Sequence, residues 1–141
     1  MSFKTFKLLW ERKACPFDVH QRDSKSRSLL HLAILTEDND IMELLMEDYP
    51  NQDVNTQDAN GETPLHYACK TQNKVAVDSL LKLRSNKDNR NFGFETELRT
   101  RGGETPLFVA IKTGHVSIVR RLLWSGCNPF TFNNLGQQAF T

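Results

Sequence analysis

The sequence predicts an all-α solenoid built from helix–turn–helix units that recur along 141 residues. Three observations predict it. The pentapeptide Gly-Glu-Thr-Pro-Leu stands at 61–65 and again at 103–107. Apolar anchors at Leu30, Leu65, Leu107 and Phe140 follow one another at spacings of 35, 42 and 33 residues. A 33-residue period explains all three spacings if two residues are inserted near 49–54 and nine between 83 and 100. Finally, each of the first three anchors is followed by a second amphipathic stretch, as a pair of packed helices requires.

The clearest unit is the one that starts at Gly61. A glycine takes positive φ without steric cost, which suits a tight turn. Thr63 can cap a helix by accepting one of its first free N–H groups. Pro64 then falls at the first helical position, where a missing N–H costs nothing. Leu65 opens the apolar stripe, and Ala68 lies on the same face with room for a neighbouring helix. Val75, Ala76, Val77, Leu80 and Leu81 form the second stripe. Gly103, Thr105, Pro106, Leu107 and Ala110 repeat the first part of this pattern. Gly114 stops that helix, a second stripe carries Val116, Ile118, Val119, Leu122 and Leu123, and Gly126 ends it. Upstream, "SLLHLAIL" places Leu30, His31 and Ala33 as a weaker copy, with Ile41, Met42, Leu45 and Met46 behind it. Downstream, "LGQQAF" places Gly136 and Phe140 as the start of another.

A helix–turn–helix unit of this period that opens on Thr-Pro-Leu-His-x-Ala resembles the ankyrin repeat. "TPLHYA" at 63–68 carries every fixed position; "TPLFVA" at 105–110 replaces the His by Phe108, and "SLLHLA" at 28–33 replaces the Pro by Leu29. The unit ends "DVNTQD", "GCNPFTFN" and "ACPFDVHQRD" are similar to the family's loop. The resemblance implies one domain: a half-repeat at 1–25, repeats at 26–58, 59–100 and 101–133, and a partial fourth at 134–141. In the half-repeat, residues 3–13 would be a lone second helix with Phe3, Phe6, Leu9 and Trp10 inward. Turn tips would project as β-turn or hairpin fingers, and His31 and His66 would link neighbouring turns by hydrogen bonds. Partner contacts would fall on the tips and on the end of each first helix. In the first repeat these are Ser24, Lys25, Arg27, Leu35 and Thr36. In the second they are Ala59, Asn60, Glu62, Lys70 and Thr71, and in the third Arg101, Gly102, Glu104, Lys112 and Thr113. The function implied is a non-enzymatic adaptor, scaffold or inhibitor subunit that binds another protein and needs no cofactor.

Composition sets the outer bounds. Apolar residues make up 38% and charged residues 25%, a globular balance. No apolar run approaches the length of a membrane span, and "MSFKTFKLLWERK" lacks the apolar core of a secretory signal. Three widely spaced cysteines, an odd number, and no Asn-x-Ser/Thr acceptor suit an intracellular setting, cytoplasmic or nuclear. The net charge of +1 conceals an asymmetry: residues 37–62 hold nine acidic and no basic side chains, between basic flanks.

Enzymatic constellations are thin. His66 and Cys69 share a helical turn, but no second Cys/His pair completes a metal set. Glu62 and Glu104 are expected at exposed turn tips rather than as a catalytic carboxylate pair. The insertion at 84–101 sets Arg84, Lys87, Arg90, Arg99 and Arg101 around Phe92 and Phe94. It reads first as a solvated loop whose phenylalanines pack back on the stack. A protein-binding loop is the next reading, with Arg90, Phe92 and Phe94 as contacts. The remaining alternative is a grip on single-stranded nucleic acid, since basic side chains interleaved with aromatics suit stacked bases. The C-terminal stretch "NPFTFNNLGQQAFT" has no charge and carries Phe130, Phe132, Leu135 and Phe140. It is expected to be an end-on interface, for a partner or for end-to-end association.

Overall fold

The computed structural model describes residues 22–48, 55–85 and 96–138. The expected lone helix at 3–13, the insertion contacts Arg90, Phe92 and Phe94, and Phe140 lie outside the described residues.

Six helices among the described residues form three antiparallel pairs. They are α1 (Leu29–Leu35) with α2 (Asn39–Asp48), α3 (Pro64–Lys70) with α4 (Lys74–Ser85), and α5 (Pro106–Thr113) with α6 (Val116–Trp124). The first helices pack in one row, α1 on α3 and α3 on α5; the second helices pack in a parallel row, α2 on α4 and α4 on α6. No strand occurs among the described residues beyond a single antiparallel bridge pairing Phe132 with Gln138. The protein is an all-α repeat solenoid.

Local chemistry sets the helix ends where the sequence places them. Ser28, Thr63 and Thr105 are N-caps in extended conformation, and each side chain accepts the N–H of the residue three positions on. Pro64 and Pro106 open their helices. Gly114 ends α5 at φ 77°, with its N–H donating to the Ala110 and Ile111 carbonyls. The link between the two helices of a pair takes a positive φ in all three units, at Glu37, Gln72 and Gly114.

The core runs through the stack as one cluster. Ala33, Ala68 and Ala110 are buried where first helices approach each other, and Ile34, Leu65 and Leu107 fill the space around them. Met42 and Leu45, then Val77 and Leu80, then Ile118 and Leu122 line the inner side of the second helices. Each unit hides its stripe only against neighbours, so stability depends on the stack.

Three apolar residues expected on the inward stripes are instead exposed: Val75, Val116 and Leu123. Val75 sits at the second position of α4, in its first turn, and is 44% exposed. Leu123 has a different reason. Its counterpart 42 residues earlier, Leu81, is 3% exposed because α6 lies against α4, whereas no following helix among the described residues covers Leu123, which is 38% exposed.

Candidate protein-interaction surface

Four turns of one design project from the stack. In each, the N–H of a first residue donates to the carbonyl four positions on: Asp23 to Arg27, Asp58 to Glu62, Thr100 to Glu104 and Asn133 to Gln137. A side chain at the first position braces the turn from inside. Asp23 Oδ1 accepts the Lys25 and Arg27 N–H groups, Asp58 Oδ1 those of Asn60 and Glu62, and Asn133 Oδ1 those of Leu135 and Gln137. The Thr100 hydroxyl accepts only the Glu104 N–H. The fourth position takes positive φ in every finger, at Ser26, Gly61, Gly103 and Gly136. The glycine at 103 has a second reason. A Cβ there would stand 2.7 Å from the Asn134 backbone nitrogen, so the next finger could not approach.

The fingers are tied tip to tip. Ala59 N–H donates to Lys25 C=O at 3.0 Å, Arg101 N–H to Asn60 C=O at 2.9 Å, and Asn134 N–H to Gly102 C=O at 2.8 Å. Side chains add rungs: Gln57 Nε2 donates to the carbonyls of Gly61 and Arg99, and Arg99 Nη1 to that of Phe132. The result is a row of turns whose relative positions are held by backbone bonds, with side-chain rungs beside them.

His31 and His66 tie the helices to this row. Nδ1 of His66 lies 3.1 Å from the Thr63 backbone nitrogen. An amide N–H can only donate, so Nδ1 is the unprotonated acceptor and Nε2 carries the hydrogen. Nε2–H therefore donates to the Glu104 carbonyl, 2.9 Å away in the next unit. His31 does the same between Ser28 and the Glu62 carbonyl, at 3.1 and 2.9 Å. Protonation would destroy the Nδ1 acceptor, and burial disfavours it further: desolvation lowers the pKa of both rings, that of His66 to about 4. The third unit has Phe108 at this position, buried, and so makes no such link to the fourth finger.

Asp58 anchors the middle finger to its helix. Its Oδ2 accepts the Tyr67 hydroxyl at 2.6 Å. Burial pushes the Asp58 pKa up, but the Tyr67 hydroxyl and the Glu62 and Asn60 N–H groups outweigh it, and the group stays ionised below the usual range. The Tyr67 hydroxyl is pushed up by burial and by this carboxylate.

These contacts sort the sequence-marked residues. Ser24, Lys25, Ala59, Asn60, Arg101 and Gly102 stand exposed at the tips, and Leu35, Thr36, Lys70 and Lys112 stand exposed at the ends of the first helices. Arg27, Glu62, Thr71, Glu104 and Thr113 are half-buried. Glu62 and Glu104 differ from the expectation of solvated tips. Each folds over its own unit to pair with a lysine, Lys70 at 3.3 Å and Lys112 at 2.9 Å. Arg27 is held by Asp23 at 2.7 Å. Thr71 and Thr113 turn their hydroxyls back to the Tyr67 and Ala110 carbonyls. Phe130, Phe132 and Leu135 are exposed on the last finger.

The chemistry of catalysis finds little support in this arrangement. Both nitrogens of His66 are engaged in holding the fold. Cys69 is buried, which raises its pKa and keeps it a thiol, so it is a poor nucleophile. Among the described residues no three His, Cys, Asp or Glu side chains are placed to hold a metal ion, and no helix is long and apolar enough to cross a membrane. Sequence reasoning missed the tip-to-tip bonds and the Asp58–Tyr67 contact. The signal for the brace was present, since an Asp ahead of Asn-Gly is a common turn element.

Comparison with known proteins agrees with this geometry. A family model described as ankyrin repeats (3 copies) matches residues 2–91 and 30–133. The SMC5-SMC6 complex localization factor protein 1 of Bos taurus is 33% identical over 121 residues, covering 82% of this chain and 10% of that protein. The tyrosine-protein kinase Shark of Drosophila melanogaster is 30% identical over 124 residues, covering 88% of this chain and 12% of the kinase. The target of rapamycin complex 2 subunit AVO2 of Saccharomyces cerevisiae is 26% identical over 111 residues, covering 77% of this chain and 24% of that subunit. The chain thus spans a quarter or less of these relatives. Repeats of this kind generally mediate protein–protein interaction and are generally not enzymes. Capped helix pairs, His-linked fingers and the matched repeats together establish that this chain belongs to the ankyrin-repeat family.

Proposed function

We propose that the chain is a non-enzymatic interaction module, with repeats at 26–58, 59–100 and 101–133, that binds a protein through its finger tips and first-helix ends. The observation that carries this reading is the tied row of fingers. Lys25, Asn60, Arg101 and Gly102 are exposed on turns joined by backbone hydrogen bonds of 2.8–3.0 Å. A row held in place before binding loses little entropy when a partner docks. Lys70 and Lys112 extend it onto the helix ends. The names of two relatives, a complex localization factor and a complex subunit, suit an adaptor or scaffold working inside the cell. On the last finger, exposed Phe130, Phe132 and Leu135 suit an end-on contact with the partner or with a second copy.

The test is affinity capture from native extract with three baits. They are the wild type, a tip variant carrying Lys25→Glu, Asn60→Glu and Arg101→Glu, and a control carrying Lys74→Glu on α4. The expected outcome is a protein retained by the wild type and the control and lost by the tip variant. Retention by all three baits, or captured material that is removed by nuclease and shows a steep salt dependence, would refute the reading.

A further inference from the structure

The charges on the finger row do not balance one another. Every acid in the fingers already has partners. Asp23 pairs with Arg27 at 2.7 Å and Asp58 holds the Tyr67 hydroxyl, while both brace their turns. Glu62 and Glu104 pair with Lys70 and Lys112. Glu97, just before the third finger, accepts the Asn128 N–H at 3.1 Å. Four cations are left over. Arg22, Lys25, Arg99 and Arg101 are exposed, and none makes an ion pair among the described residues.

The four stand in two groups. Arg22 and Arg99 hold the same place, one residue ahead of their fingers. Each spans to the next finger with one nitrogen, Arg22 Nη1 to the Gln57 carbonyl at 3.3 Å and Arg99 Nη1 to that of Phe132 at 3.0 Å. The same rung from the middle finger is made by Gln57, a neutral amide, to the Arg99 carbonyl. The tips repeat the pattern: Lys25 on the first finger, Asn60 on the second and Arg101 on the third. The first and third fingers are thus cationic and the second is neutral. A neighbouring repeat does not cover these side chains. Lys25, Asn60 and Arg101 are all exposed although each of their fingers is already tied to the next one.

The spacing follows from the stack. Packed helices lie about 8–10 Å apart, so fingers two units apart are separated by about 16–20 Å. An extended chain rises about 3.3 Å per residue, so side chains that meet both groups stand about five or six residues apart. A nucleic acid fits this pattern less well. Its closely spaced phosphates would place several charges over the neutral second finger. Residues 22–27, 57–62 and 99–104 also include no aromatic side chain on which a base could stack.

We infer that the finger row recognises an extended acidic segment of a partner protein, with one group of Asp or Glu carboxylates on Arg22 and Lys25 and a second on Arg99 and Arg101. This deepens the finger-row reading and rests on it. The charges set which segment is accepted and speed its encounter with the row.

The test uses the full chain, labelled with ¹⁵N, and three synthetic peptides in a Gly-Ser background at low ionic strength. The first carries two glutamate pairs about five residues apart. The second replaces every glutamate by glutamine, and the third gathers the glutamates into one run. The spaced acidic peptide is expected to bind at least tenfold more tightly than the glutamine peptide and more tightly than the clustered one. Amide shifts should centre on Lys25, Asn60, Arg101 and Gly102. Lys25→Gln with Arg101→Gln should weaken the spaced peptide at least tenfold and leave the urea midpoint unchanged, because neither side chain makes a hydrogen bond or ion pair among the described residues. Asn60→Lys fills the neutral gap and should abolish the preference for spaced over clustered acids. Equal binding of the three peptides, alongside capture of a protein that still needs the tips, would overturn the acidic-segment proposal and leave the finger-row reading standing. Shifts centred away from the fingers would overturn it. So would tighter binding of a single-stranded oligonucleotide of matched charge, or tip-dependent self-association in sedimentation velocity, which would make the occupant a second copy.

Discussion

Acid should weaken the stack through His66, by an amount that follows from its burial. The imidazole is 1% exposed, and its pKa falls from the ordinary 6.5 to about 4 in the folded chain, chiefly by desolvation. At pH 7 the folded state holds no extra proton and only a minor fraction of the unfolded state does, so the shift has little effect there. Between pH 6.5 and about 4 the unfolded chain binds a proton that the folded chain does not, so stability falls as pH falls. The slope is about 1.4 kcal/mol per pH unit, which makes the loss about 3 kcal/mol by pH 4. Domains of this size have roughly 5–15 kcal/mol in total, so the loss is readily measured. His31 adds in the same direction, since burial lowers its pKa too. A comparison with His66→Phe isolates the one ring, and the substitution has a precedent in Phe108 at the same place in the third repeat. At neutral pH that variant should be less stable by about 1–3 kcal/mol, because the buried Thr63 N–H loses its acceptor. The Glu104 carbonyl suffers less, since it still accepts the Thr100 N–H. Urea unfolding of both proteins at pH 7, 6, 5 and 4 gives the answer. The gap between them should close as pH falls. A constant gap from pH 7 to 4 would refute the argument that His66 is held neutral by burial and by its Nδ1 acceptor role.

Further consequences can be measured the same way. Leu65→Ala and Leu107→Ala, at positions no more than 2% exposed, should each cost about 2–5 kcal/mol in chemical denaturation, from lost burial and the cavity left behind. Tyr67→Phe removes the 2.6 Å bond to the Asp58 carboxylate and should cost about 1.5–3 kcal/mol, with faster amide exchange at Asn60 and Glu62. Gly103→Ala and Gly114→Ala both force an alanine into positive φ, for about 1 kcal/mol of strain. Only Gly103→Ala also meets the next finger, so only it should cost more than that and expose the Asn134 amide to exchange; Gly114 faces open space.

Most of the scaffold was legible because it is encoded locally. Thr63 followed by Pro64 marks a helix start whatever surrounds it, since cap and fixed φ act within one turn. The His positions could be seen, but not the reason for their neutrality, which is burial under neighbouring units, nor the partner of the His66 Nε2–H, a carbonyl 38 residues away in Glu104. Glu62 and Glu104 were misplaced as free tips for a related reason. A carboxylate at a turn looks solvated in sequence, and its lysine partner is eight residues on, across a fold of the chain.

The sequence alone determined the unit: its period, its capped helix starts, its inward leucines and alanines, and membership in a repeating helical stack. These follow from steric and hydrogen-bonding preferences that act over one or two helical turns. Tertiary structure alone decided which repeated features become surface. Leu81 and Leu123 occupy the same place in their units, yet one is buried and the other exposed, because burial in a solenoid comes from the next unit rather than from the residue. Periodicity fixes the face on which a side chain stands; the neighbouring helix fixes whether that face meets protein or water.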